Sequence, residues 1–370
     1  MVLKQYPTKI CDADKNATPQ RNRAGDKNIE MSLQFPAYIS RLSRRWLRNT
    51  SGVASCHPHF GELLQGAFHV PEGRRRRTVR ALISIHIPST AGAEARVTLQ
   101  PNRVGKFLPE IGSTGIHVSP AHFSKCEIAA RLALDAFGME NIGATLEVRT
   151  FVPEGAGLGS STSGVVASIR AVAEAVGAYR GTRIIAAPQL QARLAVAAEQ
   201  ASDSLMFECM GNAILFAQRL GTIVRTFNGP LPRMHILGFD TGSESGRINT
   251  ERLPRARYSR DQIAAFGCAL AVLERAVSEQ SVALAGQVAT FSAKMSETAI
   301  QNPLNKPHFD ELLRIKDDTG SAGILVAHSG TVAGFIFDPT LSDLCTRVAD
   351  ASMSIAQLGF DRLGTFSNPY

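Results

Sequence analysis

Hydrophobic and polar positions divide the chain into stretches of different texture. Residues 1–35 are polar and hold no sustained apolar period, the pattern of a disordered extension. Between Pro36 and Arg48, Ile39, Leu42 and Trp46 recur at i, i+3 and i+7 with arginines among them. That spacing predicts a short basic amphipathic helix, which either docks on its own domain or meets a membrane surface or a partner. From Gly52 the runs become short and β-rich, and Ala81–Ile87, Ala95–Leu99 and Ala144–Arg149 predict strands of a sheet. Ile128, Leu132, Leu134 and Phe137 fall at helical spacing, predicting a helix over Cys126–Phe137 with Ser124 as its cap. Ser163–Tyr179 and Pro188–Gln200 are rich in Ala and Val with few charges, so both read as helices buried on most sides.

Asn228-Gly229-Pro230 interrupts the pattern and marks a domain boundary. After it, Met234–Phe239 reads as a buried strand entering a turn at Asp240, and Ser259–Ala299 as a long helical segment. Gly323–Ala327 and Val332–Phe337 read as strands, and Asp343–Met353 as a helix. The expectation is an α+β chain in three parts: a basic extension over 1–50, a first domain over 51–229 and a second over 230–370. No internal repeat is evident.

Composition narrows the class. With 44% hydrophobic and 19% charged residues, the chain has the balance of a soluble globular protein and not of a fibrous or wholly disordered one. No run approaches the roughly 18 to 20 apolar residues of a membrane span, and the first residues lack an apolar signal core, so a cytoplasmic location is expected. The six cysteines show no ligand spacing and read as reduced thiols, which argues against zinc or iron–sulfur chemistry. The net charge of +8 would suggest nucleic acid if it were concentrated on the fold. Residues 1–50 hold ten Lys and Arg against four Asp and Glu, however, so six of the eight charges lie outside it. Arg74–Arg77 follow Pro71 and Gly73 and read as a solvated basic loop, and no nucleic-acid partner is expected.

The chemistry concentrates at Pro153-Glu154-Gly155-Ala156-Gly157-Leu158-Gly159-Ser160-Ser161-Thr162, between a strand and the Ala/Val-rich helix. Glycines let a backbone approach a phosphate without Cβ clashes, and Ser160, Ser161 and Thr162 fall where free amides and the positive helix end meet an anion. The hydroxyls can add hydrogen bonds or a magnesium ligand. No Gly-Lys-Ser/Thr follows, so this is not a Walker A loop, and the pattern is not the dinucleotide GxGxxG either. The same pattern also serves as a plain helix cap, so its context must decide.

Pro153 to Ser161 resembles the signature of the GHMP family of small-molecule kinases. Cys56-His57-Pro58-His59-Phe60-Gly61-Glu62-Leu63-Leu64-Gln65-Gly66 is similar to the N-terminal motif of its L-threonine kinase branch. Ser202–Phe207 and Val326–Gly334 resemble two further motifs of that branch, in the family's order. The resemblance implies an N-terminal mixed-sheet domain (ribosomal protein S5-like), a ferredoxin-like C-terminal domain, ATP at Pro153–Thr162 and Mg²⁺ near Ser161 and Glu199. It implies Asp203 as general base or orienting group for the acceptor hydroxyl, and Glu62, Gln65, His328, Ser329 and Gly330 as groups facing a small-molecule substrate.

Bland readings stand beside these. Asp203 could cap a helix beginning near Ser204, and His328 could be a satisfied structural histidine. His57 and His59 have a spacing that metals use, without a third ligand nearby in sequence, and Cys56 reads as a buried thiol. The chain also departs from the pattern. Gln200 stands where the branch has Glu, with Glu199 one step earlier, and Pro58, His59 and Phe60 replace small residues. The leading expectation is an ATP- and Mg²⁺-dependent kinase forming L-threonine O-3-phosphate toward the cobalamin side chain. Homoserine, serine or another alcohol as acceptor, and a non-catalytic nucleotide-binding protein of the same fold, remain the alternatives. The oligomeric state is open, a homodimer among the options.

Overall fold

The computed structural model describes residues 50–73, 75–88, 91–100, 115–242, 257–301 and 303–368. The amphipathic helix expected over Pro36–Arg48 lies outside the described residues. Twelve strands and seven α-helices in the described residues form a mixed α+β structure built on two sheets.

The smaller sheet has the order β1 (Ser51–Cys56), β4 (Ala93–Gln100), β6 (Gly143–Thr150), β5 (Ile116–Ser119), with β5 alone running parallel to its neighbour. Helices α1 (Ser124–Ala136) and α2 (Ser160–Arg180) cover it. The composition of α2 explains its place: Val165, Val166, Ile169, Val172 and Val176 are fully buried, and small residues between them let neighbours approach. The closest approach is at Gly52, where a Cβ would stand 2.3 Å from the Ala171 carbonyl oxygen and 2.4 Å from the Ala175 nitrogen. Helix α3 (Pro188–Glu199) starts on a proline whose missing amide costs nothing at a helix start, and packs against α1 and α2.

The larger sheet is antiparallel and continuous, in the order β12 (Asp361–Ser367), β9 (His235–Asp240), β11 (Val332–Phe337), β10 (Gly323–Val326), β2 (His59–Glu72), β3 (Arg75–His86), β7 (Ile214–Ala217), β8 (Thr222–Thr226). Asn228-Gly229-Pro230 falls between β8, at one edge, and β9, near the other. Residues after it build β9–β12 and helices α4 (Arg260–Glu279), α5 (Val282–Glu297), α6 (Phe309–Asp318) and α7 (Leu344–Gln357). The halves are joined through the sheet where Val326 of β10 pairs with Glu62 of β2.

Several sequence expectations are corrected. The single helix expected over Ser259–Ala299 is two, because Gln280 adopts a left-handed conformation (φ +50°) and Ser281 caps α5 by accepting from the Leu284 amide. Ser124 is the first residue of α1 and does not cap it; the flanking position is Phe123, with no side-chain cap. Arg75, Arg76 and Arg77 are not in a loop: they are exposed residues of β3, paired with Glu72, Pro71 and Val70 across a turn in which Gly73 takes φ +60°. Bulky Phe60 is fully buried, and its ring occupies space left by two glycines, since a Cβ on Gly238 or Gly334 would lie 2.5 or 2.7 Å from it.

These close approaches make a stability test. Gly52→Ala should lower unfolding stability by about 1–3 kcal/mol, because the backbone of α2 cannot yield locally. Gly267→Ala, on the exposed face of α4 with open space around it, should leave stability unchanged or raise it by up to ~1 kcal/mol. Urea midpoints at constant m-value read both; equal effects of the two changes would contradict the packing described.

Candidate active site

The loop after β6 is shaped by three glycines in left-handed conformations, Gly155 (φ +73°), Gly157 (φ +91°) and Gly159 (φ +72°), which L side chains rarely adopt. Its backbone is held from both sides: the His59 amide donates to the Leu158 carbonyl (3.3 Å) and the Val332 amide to the Ala156 carbonyl (3.0 Å). Ala156 and Leu158 are buried, Pro153 is exposed, and the loop runs directly into α2. Gly159 occupies the N-cap and supplies no side chain, so the first-turn amides at Ser160, Ser161 and Thr162 are not capped from within. The Gly/Ser segment is therefore more than a helix cap: its conformation is imposed by packing from β2 and β11.

Behind this helix start lies a chain of polar groups in which His59, Thr162 and Glu199 are buried, Asp203 is half-buried and Ser161 is exposed. Ser161 Oγ donates to Glu199 Oε2 (2.9 Å). The Thr162 hydroxyl lies 2.9 Å from Glu199 Oε1 and 3.3 Å from Asp203 Oδ2, and its single proton serves one of them at a time. The Asp203 amide donates back to Thr162 Oγ1 (3.3 Å). His59 Nε2 is 3.0 Å from Asp203 Oδ2, and its Nδ1 is 3.0 Å from the Gly61 carbonyl oxygen. The structure thus brings together Ser161, Thr162, Glu199 and Asp203, and adds His59. Gln200 does not take part through a carboxylate-like position; it ends α3 in a left-handed conformation (φ +65°), and Glu199 reaches the site instead.

Burial and mutual charge set the protonation states. Burial favours neutral His59, but the Asp203 carboxylate outweighs it and lifts the imidazole to about 9. Burial also opposes a charged Asp203, and the His59 cation with its hydrogen bond overcomes this, holding the carboxyl below its usual range. Glu199 is pushed up to about 7 by burial and then by the Asp203 charge. His86, paired with His59 across β2 and β3, is pushed down to about 4 by burial and by the His59 charge, and its Nε2 lies 3.2 Å from Ser204 Oγ.

A second cluster adjoins the first. Glu62 Oε2 accepts from the His328 backbone amide (3.2 Å) and lies 3.1 Å from His328 Nδ1, while His328 Nε2 lies 2.6 Å from Ser296 Oγ. All polar atoms of His328 that can bond from this side are engaged within the protein, as in the structural reading of that residue. Ser329 and Gly330 form the turn between β10 and β11, and Gly330 presses on the glycine loop, where its Cβ would lie 2.2 Å from the Ala156 carbonyl carbon and from the Gly157 nitrogen. Gln65 is half-buried on β2, its backbone amide donating to Ser292 Oγ, and no described hydrogen bond joins it to Asp203.

Asp203 does not cap a helix through its side chain: the short 3-10 turn Leu205–Phe207 is preceded by Ser204 and has no side-chain cap. The histidine pair His57 and His59 separates, the His57 amide donating to Glu208 Oε2 (3.3 Å), while His59, Glu62 and Asp203 offer ligand atoms within 4.8 Å of one another. Both nitrogens of His59 are engaged, one by the Gly61 carbonyl and one in the ion pair with Asp203, while Glu62 is engaged by His328. Cys56 is buried and its thiol is pushed far up by burial, which makes it inert. Sequence reasoning missed His59 as the partner of Asp203; its only signal was a bulky residue where the branch has a small one. It also missed the buried Lys306, whose ammonium donates to the Gly330 carbonyl.

The oxygen-only set of Ser161, Thr162, Glu199 and Asp203 suits a hard cation such as Mg²⁺ and no soft metal. The adjoining glycine loop suits a phosphate ester.

Comparison with known proteins agrees with this chemistry. Residues 123–207 match the model of the GHMP kinases N terminal domain. The chain is 26% identical over 199 residues to an L-threonine kinase of Salmonella typhimurium, and 28% over 204 residues to one of Citrobacter freundii, each match covering 54% of this chain. These matches span 61% and 64% of the relatives' own lengths. In fold, a crystal structure of homoserine kinase from Cytophaga hutchinsonii aligns over 91% of this chain and 97% of its own, with a TM-score of 0.59 at 13% identity. Another solved structure, in complex with AMPPCP and magnesium, aligns over 86% of this chain and 97% of its own, with a TM-score of 0.55 at 14% identity. No helix among the described residues is long and apolar enough to cross a membrane. Over residues 123–207 the chain is therefore similar to the N-terminal domain of GHMP kinases, and over a longer stretch to L-threonine kinases, as its motifs imply.

Proposed function

We propose that the protein is a cytoplasmic, ATP- and Mg²⁺-dependent kinase that transfers the γ-phosphoryl group to the hydroxyl of a small molecule, L-threonine, giving L-threonine O-3-phosphate. In this reading residues 51–229 and 230–370 are its two domains. The observation that carries the proposal is the convergence of a left-handed glycine loop, an uncapped helix start, the buried carboxylate of Glu199 and the half-buried one of Asp203. Such a site binds phosphates at one end and presents oxygen acceptors to a cation and an alcohol at the other.

Phosphoryl transfer depends mostly on positioning and charge neutralisation. The loop amides and Ser161 would hold the nucleotide phosphates, and Asp203 would accept the hydrogen bond of the acceptor hydroxyl. The acceptor oxygen forms a bond to γ-phosphorus, the bond to the β-phosphate oxygen breaks, ADP leaves, and the hydroxyl proton passes to Asp203 and then to solvent. Because His59 holds Asp203 as a low-pKa anion, Asp203 is a weak base suited to orienting the hydroxyl and taking its proton late. Ser161 and Glu199 would hold Mg²⁺, which neutralises phosphate charge; its charge would favour the ionised form of Glu199, otherwise close to half-protonated at neutral pH.

Two measurements test this account. With Mg-ATP, ³¹P NMR should show a new phosphomonoester with L-threonine, in a panel that includes L-homoserine and L-serine, and Asp203→Asn should lower kcat by about 10²–10⁴. No product from any of the three, with nucleotide bound, would overturn threonine and leave a different alcohol or the non-catalytic reading; product from homoserine or serine only would replace threonine as the acceptor. The second measurement is of stability against pH. The raised His59 pKa contributes stabilisation that is fully present below about 6.5 and is lost as pH rises through about 9. The shift corresponds to about 3 kcal/mol. The melting-temperature gap between wild type and His59→Gln should therefore shrink from pH 6 to pH 9.5, and a constant gap would contradict the ion pair.

A further inference from the structure

Lys306 lies between α5 and α6, just after Asn305 in a left-handed conformation (φ +50°), and only 8% of it is exposed. Its backbone amide is anchored by the carboxylate of Glu297 at the end of α5 (3.1 and 3.2 Å). From there its ammonium reaches inward and donates to the carbonyl of Gly330 (2.7 Å) and, more weakly, to that of Val332 (3.4 Å). Among the described residues it forms no ion pair with a carboxylate within 4.0 Å. A buried ammonium that bonds carbonyls alone is an expensive way to hold a turn. What it holds explains the choice. Gly330 presses on Ala156 and Gly157, Val332 donates to the Ala156 carbonyl, and a Cβ on Gly157 would meet that of Ala327 at 2.3 Å.

We propose that Lys306 is the positioning residue of the phosphate loop: its ammonium pins the carbonyls of Gly330 and Val332, and through them fixes Ala156–Gly157 in the conformation that receives nucleotide phosphates, while placing a buried positive charge beneath them. The inference rests on the nucleotide-binding part of the kinase reading, and adds a residue from the far half of the chain to that site. Burial pushes Lys306 down to about 8, against the pull of Glu297, Asp240 and Glu62, the charged groups that face it from α5, β9 and β2; His328, in the turn it supports, acts on Glu297.

That value gives the two roles opposite signs. For the fold, the neutral form of Lys306 is favoured, so this group adds stability as pH rises from about 8 toward its unfolded value of 10.5. For the phosphate loop, the charged form is required, so nucleotide affinity falls over the same interval. A residue with a structural role alone would not weaken binding while the fold gains.

The test is calorimetric titration of the full chain with Mg²⁺ and the non-hydrolysable analogue AMPPNP between pH 7 and 9.5. Wild type should lose about 10- to 100-fold in affinity with a midpoint near 8, and Lys306→Met should bind at pH 7 with a similar loss and no such pH dependence. Affinity in Lys306→Met equal to wild type, or the same pH dependence in both, overturns the proposal and leaves nucleotide binding standing. Wild type failing to bind at any pH overturns both. His59→Gln serves as a second variant should Lys306→Met not fold: the midpoint near 8 must persist in it, and its disappearance would assign the titration to His59 and overturn the role of Lys306.

Discussion

A carboxylate enclosed by protein needs a cation close by or it takes up a proton, and at the centre of this site that cation is His59. The imidazole is fixed at both nitrogens, by the Gly61 carbonyl and by Asp203, so it can neither turn nor leave. Its charge then bears on the states around it: Asp203 stays ionised, His86 across the strand pair is kept neutral by burial and then by the His59 charge, and Glu199 is raised by burial and then by the Asp203 charge. One ion pair thereby separates two neighbouring carboxylates into an anion and a group poised near neutrality.

Space for this arrangement comes from residues without side chains. Gly159 leaves the room that the His59 ring fills, since a Cβ there would lie 2.4 Å from the ring. Gly330 and Gly157 allow the turn between β10 and β11 to lie on the glycine loop at backbone distance. Residues more than 100 positions apart, in both halves of the chain, meet at this seam: His59 and Val332 bond the loop backbone, Glu62 pairs with Val326, and Lys306 supports the turn from behind. The loop owes its conformation to long-range contacts more than to its own sequence.

This explains which features could be read from the sequence. The glycine loop, the helix after it and the strand Val332–Phe337 are local signals, with apolar runs or glycines at positions that admit few conformations. Asp203 and Glu199 were legible because they sit beside recognisable motifs. The strand β2 was not, because its pairing is irregular around His59–Leu64 and its polar residues are buried by partners distant in sequence. The break at Gln280 is one residue of backbone in an otherwise helical pattern, and the pairing of Arg75–Arg77 depends on a turn that composition alone reads as a loop. Lys306 had no signal at all: a single lysine before a proline looks solvated until the carbonyls it bonds are known.

The bulky residues that replace small ones in the N-terminal motif can now be separated by consequence. Phe60 points into the space above Gly238 and Gly334 and lies tilted against Phe366, with ring centroids 4.8 Å apart, so it serves packing of the far half. Pro58 keeps its carbonyl in a backbone bond to Ile87 (3.0 Å), which any residue could supply. His59 alone turns toward the carboxylates, and its bulk is admitted because position 159 is glycine. The replacement therefore changes charge beside the carboxylates while leaving the strand and its packing in place. A small neutral residue at position 59 would leave Asp203 without its cation, and the carboxyl, still buried, would then rise toward protonation unless another positive group approached it.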